Sequence, residues 1–280
     1  MNDVFHSDSG NSNYMAIKSC RHGTFLFNRN DTFVGRSLEL YGEWCEAEIE
    51  LLAQVVKAGD VVLDVGANIG THAVPLAQMV TDQGLDVAFE PQRLVFQNLC
   101  ANLALNGHCS VVAKEMGVGH EPGWFPMPVL DPRQEFNFAA LTIEGHASGE
   151  MVKIIRIDEL NLSRCNLIKV DVEGMEVGVL AGAAATIERF RPVLFVENNT
   201  VRGSRPLLKM LQSLNYVAWW HIRSYFNPAN FFGNSQNVFE SIQPEANLLC
   251  FHKDTFADVD GLVRVDGVDD DWQKALRRST

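Results

Sequence analysis

Long apolar runs are missing from this 280-residue chain. None approaches the roughly 18 residues that span a bilayer. The polar start MNDVFHSDSGNSNYMAIKS carries no basic segment followed by an apolar one. Neither a membrane span nor a secretory leader is expected, and the reading is a cytoplasmic protein with a disordered or loosely ordered stretch over residues 1–20. Clustered positive charge is missing too. The 23 Lys and Arg residues are scattered among 35 Asp and Glu, for a net charge of −12. Binding a phosphate backbone needs a basic patch, so a nucleic-acid partner is disfavoured and a neutral or cationic small ligand fits better. The six cysteines, Cys20, Cys45, Cys100, Cys109, Cys165 and Cys250, form no C-x-x-C pair and no zinc-finger spacing. That pattern points to reduced, mostly buried thiols. Repeats and low-complexity linkers are absent as well.

What the chain does have is alternation. With 46% hydrophobic and 21% charged residues it has the composition of an ordinary globular protein. GTFLFNRNDTFVG (23–35) reads as a hairpin around Asn-Arg-Asn-Asp, and EWCEAEIELLAQVVKAG (43–59) as a helix stopped by Gly59. This 21–58 extension leads into strands at 61–65, 86–90, 109–116, 166–172, 192–198 and 216–220, most of them followed by helical patterns. Such alternation means βαβ units: an α/β fold with a doubly wound, mostly parallel sheet. ANLLCFH (246–252) has no helix before it and is expected to return beside YVAWW as one antiparallel edge strand. The main domain is then 59–255. Residues 117–150, rich in proline and aromatics, interrupt it as an ordered lid loop, and 221–245 form a second irregular stretch. The acidic end, 256–280, reads as a solvated tail.

The turn after the first strand of the alternation carries the chemistry. In Asp64-Val65-Gly66-Ala67-Asn68-Ile69-Gly70 the glycines are four apart. Gly66 allows a tight turn against a ligand and Gly70 close packing of helix on strand. The dinucleotide fingerprint G-x-G-x-x-G is not met, and a carboxylate two positions before the first glycine suits an ammonium better than a pyrophosphate. Glu90 ends the next strand, where an acidic side chain accepts from two ribose hydroxyls. A ligand with an adenosine, a positive end and no diphosphate is S-adenosylmethionine.

On these residues the chain resembles the FkbM-type S-adenosylmethionine-dependent methyltransferases, over about residues 37–252. LYGEWCEAEIELL is similar to the family's leading segment, GDVVLDVGANIGTHAVPLA to its cofactor turn and FEPQRLVFQNLCANLALN to its second strand and helix. NLIKVDVEGMEVGVLAG resembles its central signature; PVLFVEN and FNPANFFGNSQNVF its distal part. FNFAA (136–140) departs from relatives that often have glycine after Asn-Phe, which touches the shape of the lid. The resemblance implies that Asp64, Gly66, Ala67, Asn68 and Gly70 hold the methionine end of the cofactor and Glu90 its ribose. Met116 and Gly117 would flank the adenine. Asp171 and Glu173 would stand beside the transferable methyl, and Glu43 and Glu48 could close over the methionine end. It also implies an acceptor hydroxyl on a sugar or secondary metabolite.

Methyl transfer is an in-line displacement by a lone pair, in which alignment is worth about 7–11 kcal/mol. A hydroxyl acceptor also needs a base, worth roughly a hundred- to ten-thousandfold. No N-P-P-Y run or Pro-Cys pair suggests amine or base methylation of nucleic acid, so a small-molecule or glycan hydroxyl leads. Three residues compete as base. His72, in the first turn of a helix, is better suited to touch the cofactor carboxylate. Asp171 is well placed but weakly basic. His221, following YVAWW at a strand end, titrates in the right range. His221 and Asp171 are the catalytic candidates. A divalent ion on Asp171, Glu197 and Asn198 is the alternative to carboxylates acting alone, and no metal site is assigned. The rival functions are an NAD-type oxidoreductase on the same fold and a cofactor-binding protein without turnover.

Overall fold

The computed structural model describes residues 14–142, 145–255 and 259–278. A hairpin of β1 (Met15–Cys20) and β2 (Gly23–Asn28) comes first, followed by α1 (Val34–Tyr41) and α2 (Glu46–Val55). The alternating part runs β3 (Val61–Val65), α3 (Ala73–Val80), β4 (Leu85–Phe89), α4 (Arg93–Leu105) and β5 (Val111–Lys114). Next come β6 (Gly117–Val118), β7 (Gly123–Met127) and β8 (Glu150–Ile155), which make a small separate sheet ordered β6-β8-β7. The chain then re-enters the main sheet with β9 (Leu167–Val170), α5 (Glu176–Ala181), α6 (Ala184–Phe190), β10 (Val193–Glu197), α7 (Val201–Ser213) and β11 (Tyr216–Arg223). It ends with β12 (Glu245–His252), β13 (Val263–Arg264) and α8 (Trp272–Arg278).

The main sheet is ordered β13-β11-β12-β10-β9-β3-β4-β5, with parallel pairing from β10 through β5. Leu63, Val65, Ile168 and Val196 face α5, α6, α7 and α8. Val62, Leu167 and Phe195 face α2 and α3 on the other side. Burial on both faces is why β3, β9 and β10 read as near-continuous apolar runs, each buried Val, Leu or Ile contributing about 1.5–3 kcal/mol. The polar exceptions in β3 and β9, Asp64 and Lys169, are register partners on neighbouring strands. The chain leaves β3 toward β4 on one side, while β9 lies on the other. That switch point opens a crevice at the strands' carboxyl ends.

Four local expectations change. The hairpin turns at Arg21 and His22, one strand earlier than the Asn-Arg-Asn-Asp cue, so Met15–Cys20 is a strand and Val34–Tyr41 a helix. Asp31 accepts from the Phe33 amide at 3.0 Å, which makes that cue the lead into α1 rather than a hairpin turn. Within 117–150, β6 and β7 pair with β8, so the irregular stretch narrows to 128–149, where the described residues hold only a short turn at Phe138–Ala140. The antiparallel return β12 does pair with β11, but it is inserted between β11 and β10 rather than lying at the edge. The acidic end is not a solvated tail among its described residues: β13 extends the sheet, Trp272 is buried, and the Trp220 indole donates to Asp270 at 3.0 Å.

Candidate functional site

The crevice at the switch point is a cavity of about 280 Å3. Gly66, Ala67, Asn68 and His72 form one wall, Glu90 stands at one end, and Asp171 and Glu173 form the floor. A narrower slot continues past Gly66 and Glu90 between Phe89, Met116, Gly117, Val172 and Met175. One end of the space is therefore walled mainly by apolar side chains, and the other is more polar.

Local geometry explains the wall. Gly66 has φ +84°, and a Cβ there would lie 1.8 Å from the backbone oxygen of Asp171. The glycine is required by the close approach of the β3 and β9 exits, and this is what brings Asp171 to the turn. Glu90 is buried, and both carboxylate oxygens are aimed by backbone: the Asn68 amide donates to Oε2 at 3.0 Å and the Gln92 amide to Oε1 at 2.8 Å. Burial pushes its carboxyl up to about 7, with those two amides pulling the other way. Asn68, at φ +50°, uses its own Oδ1 to accept from the Ile69 amide at 2.7 Å.

Beneath the floor lies a charge cluster. Lys169, 1% exposed, has its Nζ 3.2 Å from Asp64 and 3.6 Å from Asp171. Burial opposes its charge, but Asp64, Asp171 and Glu48 offset this and hold the ammonium protonated. Glu48 projects from α2 into the cavity, 3.0 Å from His72 Nε2, and accepts from Asn247 Nδ2 at 3.0 Å. Burial, then repulsion from Asp171, pushes Glu48 up to about 8, while burial pushes the His72 imidazole down to about 4.

Four sequence candidates lie elsewhere. Asp64 is fully buried under the floor against Lys169 and lines neither space. Gly70 packs against α4, where a Cβ would meet Leu99 at 2.9 Å. Glu43 is spent on structure: its carboxylate accepts from Arg21 at 2.7 Å, Asn227 Nδ2 at 2.8 Å and the Phe231 amide at 2.8 Å. His221 is 2% exposed, with its ring centroid 6.0 Å from that of Phe195. β11 continues two residues past it, and it is absent from the cavity walls. Burial and then Arg223 push its imidazole down to about 4, so it does not meet the requirement for a base facing the cleft.

Sequence reasoning passed over the far wall. Glu245, Asn199, Thr200, Tyr225 and Trp44 line the cavity beside Glu197. Asn199 Nδ2 donates to Glu197 Oε1 at 2.6 Å and to Glu245 Oε1 at 2.8 Å. Asn198, weighed as a metal ligand, instead accepts from Ser204 Oγ at 2.9 Å. The usable signal was β12's direction: in an antiparallel strand the first residue, Glu245, lies at the edge where the parallel strands end.

Acid crowding predicts a pH dependence. Burial, then neighbouring carboxylates, pushes Glu173 and Glu245 up to about 8 and Glu197 well up. These groups keep protons in the folded state that the unfolded chain has released, so stability falls as pH rises. His72 and His221, pushed down to about 4, oppose this only below about 6.5. Between pH 6.5 and 8 each retained proton costs about 1.4 kcal/mol per pH unit, and the thermal midpoint should fall steadily. A flat or rising midpoint in buffers of matched ionic strength would contradict this.

The family model for the methyltransferase FkbM domain matches residues 64–230, more than half the chain and all of this crevice except the walls supplied from 33–48 and 242–245. The hexuronic acid methyltransferase AglP of Haloferax volcanii is 31% identical over 163 residues, covering 55% of this chain and 62% of that protein. Methyltransferase 1 of Beauveria bassiana is 29% identical over 143 residues, covering 43% and 57%. The chain thus spans about three-fifths of the length of these curated relatives. Among solved structures, methyltransferase FkbM from Methylobacillus flagellatus is 17% identical with a TM-score of 0.45, covering 72% of this chain and 50% of that one.

Proposed function

Because this chain belongs to the FkbM methyltransferase family, we propose that it uses S-adenosylmethionine to methylate a hydroxyl group of a sugar or other small molecule. Bound there, the cofactor would supply an electrophilic methyl on a sulfonium. The observation that carries the reading is Glu90, a buried carboxylate aimed by two backbone amides at the joint between an apolar slot and a polar cavity. That is the acceptor a ribose diol requires. Phe89, Met116 and Val172 suit an adenine ring, and Asn68 and His72 a methionine end.

For the reaction itself, Asp171 and Glu173 at the floor would orient the acceptor hydroxyl toward the methyl. Of the two catalytic candidates, His221 and Asp171, Asp171 is the one on the cavity surface. It is therefore the leading candidate to accept the hydroxyl proton. Glu197 and Glu245, tied together by Asn199, would face the rest of the acceptor.

Isothermal titration with S-adenosylmethionine tests the reading. One molecule per chain should bind, and Glu90→Ala should weaken binding by about 1.5–3 kcal/mol for each lost charged hydrogen bond. Below pH 7 the wild-type affinity should also fall, because Glu90 must release its proton to accept from two hydroxyls. Unchanged affinity in Glu90→Ala would remove the assignment of the adenosine.

A further inference from the structure

A recess of about 140 Å3 opens from the cavity at Glu173, Glu197, Asn199 and Thr200 and runs toward α7. Its walls also hold Glu176 and Asn198. Three carboxylates therefore converge there, and no lysine or arginine is among the described lining residues of either space. Asn198 is 4% exposed; its Oδ1 is taken by Ser204, and its Nδ2 has no hydrogen-bond partner. An unsatisfied buried amide is costly, and a buried Glu197 grouped with the half-buried Glu173 and Glu176 without a lining cation adds to that cost. A ligand carrying both an ammonium and a hydroxyl oxygen would offset both, its ammonium displacing the protons that Glu173 and Glu197 otherwise retain. The aromatic wall across the cavity agrees: Trp44 and Tyr225 stack at 5.3 Å, and Phe33 meets Tyr225 edge-on at 5.7 Å. Such rings attract cations and flank sugar faces.

We infer that the acceptor is an amino-bearing, hydroxylated small molecule whose ammonium seats against Glu173, Glu176 and Glu197, with a hydroxyl oxygen accepting from Asn198 Nδ2. The inference rests on the methyltransferase reading and narrows it to an acceptor class. It separates this chain from a uronate acceptor, whose carboxylate would be set against three acids here. The amide donor and the size of the recess favour an organic ammonium over a bare metal ion, which would be repelled by Nδ2.

The test ranks three probes on the full chain by calorimetry near pH 7, with and without saturating S-adenosylhomocysteine: methyl glycosides of glucosamine, glucose and glucuronic acid. The glucosaminide should bind about tenfold or more tighter than the glucoside, the step expected for one buried ion pair, and the glucuronide weakest. Glu197→Gln and Glu176→Gln should each narrow the gap between amine and glucoside. Equal or tighter binding of the glucoside or the glucuronide overturns the inference, as does no detectable binding of the glucosaminide. So does displacement of the amine by submillimolar magnesium. Failure of S-adenosylhomocysteine to bind would instead sink the methyltransferase reading, and the probe ranking on the free chain is read independently of it.

Discussion

Gly66→Val should leave a protein that neither binds S-adenosylhomocysteine nor melts cooperatively near the wild-type temperature. Two costs combine. The residue holds φ +84°, a region a β-branched side chain does not tolerate. The new Cβ would also fall 1.8 Å from the Asp171 carbonyl oxygen, and that oxygen belongs to backbone that cannot swing aside as a side chain can. Losses above about 4 kcal/mol are expected from a collision of this kind. From sequence alone the valine would fill space meant for the cofactor and the fold would survive; the structure moves the first collision to the exit of β9. Circular dichroism melts and titration with S-adenosylhomocysteine decide the matter. A variant with native melting but no binding would restore the simpler picture, and one normal in both would remove Gly66 from the site.

Lys169→Met should be nearly as damaging, for an electrostatic reason. The ammonium lies between Asp64 and Asp171, and Asp86, close to Asp64 on the next strand, has no hydrogen-bond partner for either oxygen. Burial, then the charge of Asp64, already pushes Asp86 well up. Removing one partner of a buried pair typically costs about 3–5 kcal/mol. At roughly 2–4 °C per kcal/mol for a domain of this size, the midpoint should fall by about 10 °C. Adding Asp64→Asn should recover much of the loss, since the uncompensated charge is then gone. Lowering the pH should narrow the gap to wild type as the stranded carboxyl takes up a proton. If the single variant melts like wild type, or the double variant is no better than the single, Lys169 is not the counter-charge of the floor.

Much of this protein is determined by short-range pattern. Short, β-branched apolar runs such as VVLDV and PVLFVEN fit strands buried on both faces, and their alternation with helices selects a doubly wound sheet. The Gly66 turn and Glu90 are legible because both are set by chain geometry: a strand end, a tight turn and the next strand end always fall together at a switch point. What the sequence left open depends on approach across the fold. Asp64 and Asp171 look alike in sequence, each ending an apolar run. Strand pairing buries the first against Lys169 and opens the second to the crevice. Glu43 and Glu48 lie on one amphipathic segment, yet one is consumed by the 227–231 loop and the other reaches His72. His221 and Glu245 exchange their expected importance because β12 runs against its neighbours. That direction brings its first residue to the open edge, while His221 stays two residues inside β11. Side-chain direction on a strand, and which strand lies beside which, are decided by long-range pairing and packing, and no local spacing encodes them.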